Sequence, residues 1–154
     1  AINIEGISSG YQGQGVKTIL PSEAKAKLEV RLVPGLEPQD VLDKIDNYNG
    51  AYSKILNKNG NEKDGLVGTG DILITYNSSG EEVSRYEIVL YGDANGDGEV
   101  DLFDFVVVKR SILGISEPSG IYWKAADCNK DGEIDLFDFV VIKRYILGLG
   151  DVNQ

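Results

Sequence analysis

Hydrophobic and polar positions divide the chain into a strand-like first part and a helix-like second part. From Ala26 to Leu32, apolar residues alternate with charged ones, which predicts a half-buried strand. A proline at the first turn predicts a short helix over residues 38–45. Runs rich in strand-forming residues predict three more strands, at residues 52–56, 71–76 and 83–91. This pattern indicates a small α+β module over residues 1–91.

The second part contains two longer apolar runs, residues 102–113 and 136–147, each followed by a glycine. Their length and the closing glycines predict two helices of about three turns each. One side of each helix is predicted to form a shared core, through Phe105, Val108 and Ile112 and through Phe139, Ile142 and Ile146. A second apolar stripe lies about 200° around each helix. This second stripe is covered by another part of the chain or it binds a partner.

The two helices belong to an internal repeat. Residues 93–114 and 127–148 are identical at 17 of 22 aligned positions. Such self-similarity predicts one supersecondary unit used twice, each copy burying its apolar face against the other. The five differing pairs are Ala94/Cys128, Gly96/Lys130, Val100/Ile134, Val108/Ile142 and Ser111/Tyr145.

Each repeat opens with the twelve-residue pattern Asp-x-Asn-x-Asp-Gly that closes on another aspartate. Alternating oxygen ligands around a glycine turn are typical of a calcium loop, so the sequence predicts two bound calcium ions. The loops resemble those of EF-hands, except that an aspartate replaces the closing glutamate, so the loop has to draw in more tightly. The predicted ligand positions are Asp93, Asn95, Asp97, Glu99, Asp101 and Asp104, then Asp127, Asn129, Asp131, Glu133, Asp135 and Asp138.

The charge distribution supports metal binding. The chain has 25 acidic and 15 basic residues, a net charge of −10, and the two loops hold ten of the acids. The remaining 15 acids balance the 15 basic residues, so the negative charge is local to the loops, which favours a metal over a basic partner. The chain has no histidine, and no catalytic residues are predicted. Basic aromatic stripes and apolar runs of about eighteen residues are also missing, so neither nucleic-acid binding nor membrane insertion is expected.

Residues 92–148 resemble a dockerin: Gly-Asp-x-Asn-x-Asp-Gly, a Lys-Arg pair and a Leu-Gly end occur twice. The resemblance implies an all-α pair of calcium loop–helix motifs without the entering helix of an EF-hand. It also implies cohesin binding in a cellulosome-type assembly, an extracellular or cell-surface location, and two binding orientations because the contact positions are identical in both copies. With the second stripe, the predicted partner-binding residues are Leu102, Phe103, Val106, Val107, Lys109 and Arg110, and Leu136, Phe137, Val140, Val141, Lys143 and Arg144.

Two further resemblances concern the N-terminal part. Residues 49–91 resemble the X modules that precede many dockerins. Residues 5–45 resemble part of the dimerisation lid of dipeptidase-like zinc metallopeptidases, through the segments Gly10-Tyr11-Gln12-Gly13, Lys17-Thr18-Ile19-Leu20-Pro21 and Arg31-Leu32-Val33-Pro34-Gly35. The metal ligands of that family lie outside the lid.

The expected architecture is therefore an α+β, X-like module over residues 1–91, joined without a flexible linker to a duplicated all-α dockerin domain over residues 92–150. The expected function is non-catalytic, calcium-dependent assembly. Two alternatives remain: an EF-hand-like calcium sensor or buffer, and a fragment of a metallopeptidase-like enzyme. The chain has no methionine, which sensors use for adaptable grooves, and this counts against the first alternative.

Overall fold

The computed structural model describes residues 2–9, 24–30, 33–43 and 51–152. The chain forms two compact units, residues 1–32 and 33–154. In the first unit, strand β1 (Ile2–Ser9) pairs antiparallel with β2 (Ala24–Val30), with a register shift between Ile4 and Gly6. The sequence did not predict β1. The alternating segment is a strand, but β2 begins two residues before the predicted start.

The second unit begins with a helix and a three-stranded sheet. Helix α1 (Pro38–Leu42) precedes strands β3 (Tyr52–Leu56), β4 (Ile72–Tyr76) and β5 (Glu82–Glu87), which form an antiparallel sheet in that order. Helix α1 ends before the predicted residue 45, which lies outside the described residues. The α+β character of the N-terminal part is compatible with this structure.

Strand β5 ends four residues before the predicted end at residue 91. The reason is that the chain leaves the sheet and pairs with the segment before β4. The Ile88 amide donates to the Asp71 carbonyl (2.8 Å), and the Gly70 amide donates to the Ile88 carbonyl (3.0 Å). This pairing directs the chain into the first repeat.

Three helices follow: α2 (Leu102–Ile112), α3 (Ile121–Ala126) and α4 (Leu136–Ile146). Asp101 caps α2 by accepting a hydrogen bond from the Phe103 amide (2.7 Å), and Asp104 completes a capping box. Asp135 and Asp138 do the same for α4. Gly114 and Gly148, with φ of 64° and 66°, follow the helix ends as predicted.

Helix α3 corrects one expectation drawn from the dockerin resemblance. It directly precedes the second calcium loop, so that loop does have a short entering helix. The helix has only six residues, and Gly120 at its N-cap offers no side-chain capping bond, so its start carries no sequence signal.

The two long helices share the core that the inner stripes predicted. Val108 and Ile142 are fully buried, and the rings of Phe105 and Phe139 lie 4.1 Å apart. Ile112 and Ile146 pack against the same cluster. The cluster also includes residues from the loops, from α3 and from the end of the described chain: Ala94, Val100, Ala126, Cys128 and Val152.

Candidate metal centres and docking face

The first loop brings three carboxylates together. Carboxylate oxygens of Asp93, Asp97 and Asp104 all lie within 4.8 Å of one another. Asp93 and Asp104 are buried, while Asp97 is exposed. Backbone amides orient Asp104: those of Asn95 and Asp101 donate to its two carboxylate oxygens at 3.0 and 2.9 Å. Such a set of convergent, hard oxygen atoms fits a calcium ion.

The electrostatics of the first loop also fit a cation. Burial raises the pKa of Asp93, and it raises the pKa of Asp104 to about 7, with the neighbouring acids adding to both shifts. In the described part of the chain, the hydrogen bonds to these two carboxylates come from backbone amides. These amide hydrogen bonds offset only part of the free-energy cost of burying an ionised carboxylate. A bound divalent ion would offset the rest.

The second loop has much of the same hydrogen bonding. The amides of Asn129 and Asp135 donate to Asp138 at 3.1 and 2.9 Å, matching the bonds to Asp104. Burial raises the pKa of Asp138 as well. Among the described residues, however, no second group of three carboxylates meets the spacing found in the first loop. The predicted ligand set of this loop is therefore present but less convergent.

The remaining predicted ligand positions have clear structural settings. The side chains of Glu99 and Glu133 are exposed, and the sequence predicts that these residues contribute their carbonyl groups. Asp101 and Asp135 act as helix N-caps through one carboxylate oxygen. Cys128 is buried with its thiol against the Ala126 carbonyl (3.4 Å), and burial raises its pKa to about 12. A thiol with so high a pKa is unreactive and serves as a small core residue.

The predicted partner-binding residues form an outward face on α2 and α4, called the docking face below. Leu102 and Phe103 are 64% and 70% exposed, and Val106 is 47% exposed. Val107 and Val141 differ, because they are half-buried and pack against the core cluster. The other members of the docking face are exposed: Lys109, Arg110, Leu136, Phe137, Val140, Lys143 and Arg144.

A further set of exposed apolar residues, which the sequence analysis did not single out, follows the ends of α2 and α4. Leu113 and Ile115 are 60% and 62% exposed, and Leu147 and Leu149 are 59% and 65% exposed. Their repetition in both copies was the available signal, since each pair flanks the helix-ending glycine.

The N-terminal module touches the first loop through contacts that the sequence did not reveal. The Thr69 amide donates to Asp93 Oδ2 at 2.7 Å, and the Gly35 amide donates to the Gly98 carbonyl at 2.9 Å. These contacts join residues far apart in the chain, so local patterns could not predict them.

Comparison with known families agrees with the resemblances to a dockerin and to a peptidase dimerisation lid. Residues 91–147 match the dockerin type I domain, and residues 1–55 match the peptidase dimerisation domain. The first match supports calcium-dependent docking onto a cohesin as the general function of this segment, and dockerin modules typically occur in secreted cellulosome proteins. Among the described residues, none of the helices has the length and apolar character needed to cross a membrane.

Proposed function

We propose that residues 92–152 attach their parent protein to a cohesin, with calcium bound in both loops and with either α2 or α4 leading. The observation that carries the proposal is the near identity of the two outward faces. Exposures of Leu102 and Leu136 are 64% and 65%, those of Phe103 and Phe137 are 70% and 68%, and those of Val106 and Val140 are 47% and 46%. A partner that binds the docking face of one copy therefore finds the same surface on the other copy.

The five differences between the repeats support the same proposal, because none lies on the docking face. Two pairs are in the core. Val108 and Ile142 are fully buried, and Ala94 and Cys128 are almost fully buried. Two more pairs are buried or half-buried positions, Val100/Ile134 and Ser111/Tyr145. The fifth, Gly96/Lys130, lies in the calcium loops. Variation is thus confined to supporting positions.

The chemistry of the docking face indicates the kind of cohesin surface it fits. A leucine and a phenylalanine at the start of each helix offer large apolar anchors, and a Lys-Arg pair at its end offers a basic border. We therefore expect a partner with apolar pockets and an acidic rim. Val107 and Val141 would contribute only the edge of the contact.

Calcium would act on this surface through folding. Helices α2 and α4 begin directly after the loop acids Asp101 and Asp135, and Asp104 and Asp138 belong both to the loops and to the helix caps. Binding of an ion to these carboxylates would therefore stabilise the helix starts where Phe103 and Phe137 are exposed.

The direct test is a pull-down of the chain with a panel of cohesins, in calcium and in chelator. We expect capture by at least one cohesin in calcium and loss of capture in chelator. Val83→Ala is a suitable control, since Val83 is an equally exposed apolar residue (65%) on strand β5, and this variant should be captured normally. Capture that persists in chelator would refute the calcium dependence.

The match of residues 1–55 to the peptidase dimerisation domain bears on the alternative of a metallopeptidase-like enzyme. We infer that this segment shares the fold of a peptidase dimerisation domain and has no catalytic role, because the chain supplies no histidine for a zinc site. Dipeptide hydrolysis by the isolated chain with added zinc would contradict this inference.

The sensor alternative has one supporting feature, the helix α3 before the second loop, which gives that loop a helix on either side. A sensor exposes its apolar face only when calcium binds. Titration with an apolar fluorescent dye distinguishes the two: a sensor gains dye binding with calcium, whereas a docking module loses it as its core orders.

A further inference from the structure

The first calcium loop rests on a turn of the N-terminal module, residues 68–71, which we call the bracing turn. The Thr69 amide reaches Asp93 Oδ2, and Gly68 lies so close that a Cβ there would be 2.7 Å from the Gly98 nitrogen and 2.8 Å from the Gly96 carbonyl oxygen. No side chain fits between the two segments. The turn and the loop therefore pack backbone against backbone.

The bracing turn is itself held in place by buried polar contacts. The Gly68 amide donates to Asp71 Oδ2 (2.9 Å), and the same carboxylate pairs with Lys63 at 2.8 Å, where both side chains are largely buried. The Thr69 hydroxyl bonds the Leu90 backbone at 3.1 Å. The turn thus presents its amide to Asp93 from a fixed position.

Among the described residues, the second loop has no counterpart of the bracing turn. Asp93 accepts from four backbone amides, those of Thr69, Gly96, Asp97 and Gly98. The structure gives Asp127, its counterpart, two such bonds, from Asp131 and Gly132. A Cβ on Gly132 would meet nothing within 4 Å.

One sequence difference between the repeats follows from this contrast. Gly96 has φ of 83°, and a Cβ there would lie 2.6 Å from the Tyr122 ring and 2.8 Å from the Thr69 carbonyl oxygen. Its counterpart Lys130 adopts the same left-handed conformation at φ 63° and places its amine over the Tyr91 ring, 4.1 Å from the centroid. At this loop position, glycine is required in the first repeat, where Tyr122 and the bracing turn leave no room for a side chain.

We propose that the bracing turn is a positioning element of the first calcium site and makes the two sites unequal, with the first binding calcium more tightly. The inference rests on the proposed calcium function. A carboxylate already oriented by a rigid neighbour loses less freedom when it binds an ion, so its site binds more strongly. The three-carboxylate group found in the first loop agrees with this order.

The first test assigns the two sites by calorimetric calcium titration of the full chain. The matched variants Asp97→Asn and Asp131→Asn each weaken one loop. We expect the wild-type protein to bind in two phases, with Asp97→Asn removing the tighter phase and Asp131→Asn the weaker. Equal phases, or the reverse assignment, would overturn the proposal. If the wild-type chain takes up no calcium at all, the proposed function fails as well. Calcium uptake in equal or reversed phases refutes only the inequality of the two sites.

The second test changes the contact without replacing any acid. Gly68 has no left-handed φ, so Gly68→Ala affects mainly the approach to Gly98, Gly96 and Asp93 Oδ2, the last 2.9 Å from the added Cβ. We expect the tighter phase to weaken by roughly 10–100-fold, as for other outer partners of metal ligands, and the weaker phase to stay unchanged. Gly150→Ala is the control, because its Cβ would meet nothing nearer than 3.6 Å. Equal loss in both phases, or none, would count against a positioning role.

A third measurement needs no variant and does not depend on ion affinity. In chelated wild-type protein, hydrogen exchange should be slower at the amides of Thr69 and Gly98, which bond Asp93, than at the Gly132 amide, which bonds Asp127. Exchange at the same rate in both loops would show that the bracing turn does not order the ion-free first site, and the proposal would be wrong.

Discussion

The first and second repeats present the same docking face on different supports. Outward residues such as Phe103 and Phe137 have the same identity and nearly the same exposure (70% and 68%). Inward, the first repeat packs against the bracing turn through glycines, whereas Lys130 of the second repeat contacts Tyr91. The contrast teaches that a duplicated module can keep two equivalent binding surfaces while, in the described part of the chain, only its first loop packs backbone against backbone on the neighbouring module.

Removal of calcium should affect both repeats, and it has the largest expected effect on the comparison. We expect chelation to abolish most of the helical circular dichroism from α2 and α4, because buried acids such as Asp104 and Asp138 lose their counter-ion, while the start of the first loop stays ordered where Thr69 bonds Asp93. Stepwise chelation should disorder the second repeat first. Retained ellipticity in excess chelator would show that the helices fold without metal.

Paired substitutions on the docking face test whether the two copies are interchangeable. Phe103→Ala with Phe137→Ala should weaken cohesin binding about 30-fold or more, since each removes a central apolar anchor worth about 2 kcal/mol or more. Either change alone should cost about twofold, because the other orientation remains. Calorimetry with a captured cohesin measures both, and full loss from one single change would rule out two orientations.

Exchanging the glycine and lysine of the calcium loops tests the difference in support. Gly96→Lys should destabilise the protein by about 2–4 kcal/mol, since its Cβ clashes with the Thr69 carbonyl and its left-handed φ is strained. Lys130→Gly should change the unfolding free energy by no more than about 1 kcal/mol, because relief at φ 63° offsets the lost cation–π contact. Urea denaturation in calcium measures the unfolding free energy of both variants. Similar losses of stability would contradict the proposed difference in support between the two loops.

The smallest effect is expected where the repeats differ inside the shared core. Ile142→Val makes the second helix match Val108 and should cost about 0.5–1.5 kcal/mol of stability, because Ile142 is fully buried. Cohesin binding should not change, since the docking face is untouched. A measurable loss of affinity with this variant would indicate that core packing and binding are coupled.

Local patterns predicted the elements whose signals lie close together in the sequence. The loop acids, the capping aspartates and the glycines after α2 and α4 fall at fixed spacings, so the helices could be placed to within a residue or two. The inner stripe was predicted from the helical period, and the burial of Val108 and Ile142 confirms it.

The remaining features depend on contacts that no local pattern encodes. The Thr69–Asp93 bond spans 24 residues, and the early end of β5 results from pairing between Ile88 and Asp71. Helix α3 is too short and too weakly capped to be recognised. The half-burial of Val107 depends on the crossing of α2 and α4, which helical periodicity alone does not specify.

Val152 has a practical consequence for handling this protein. Its side chain is 1% exposed and lies beside Gly92, where a Cβ would be 3.2 Å from the valine methyl. The start of the dockerin-like region and the end of the described chain therefore meet, and Val152 fills a position in the core. Truncation before residue 152 would open this end of the core, whereas a purification tag or a fused enzyme appended after that residue would leave the contact with Gly92 intact.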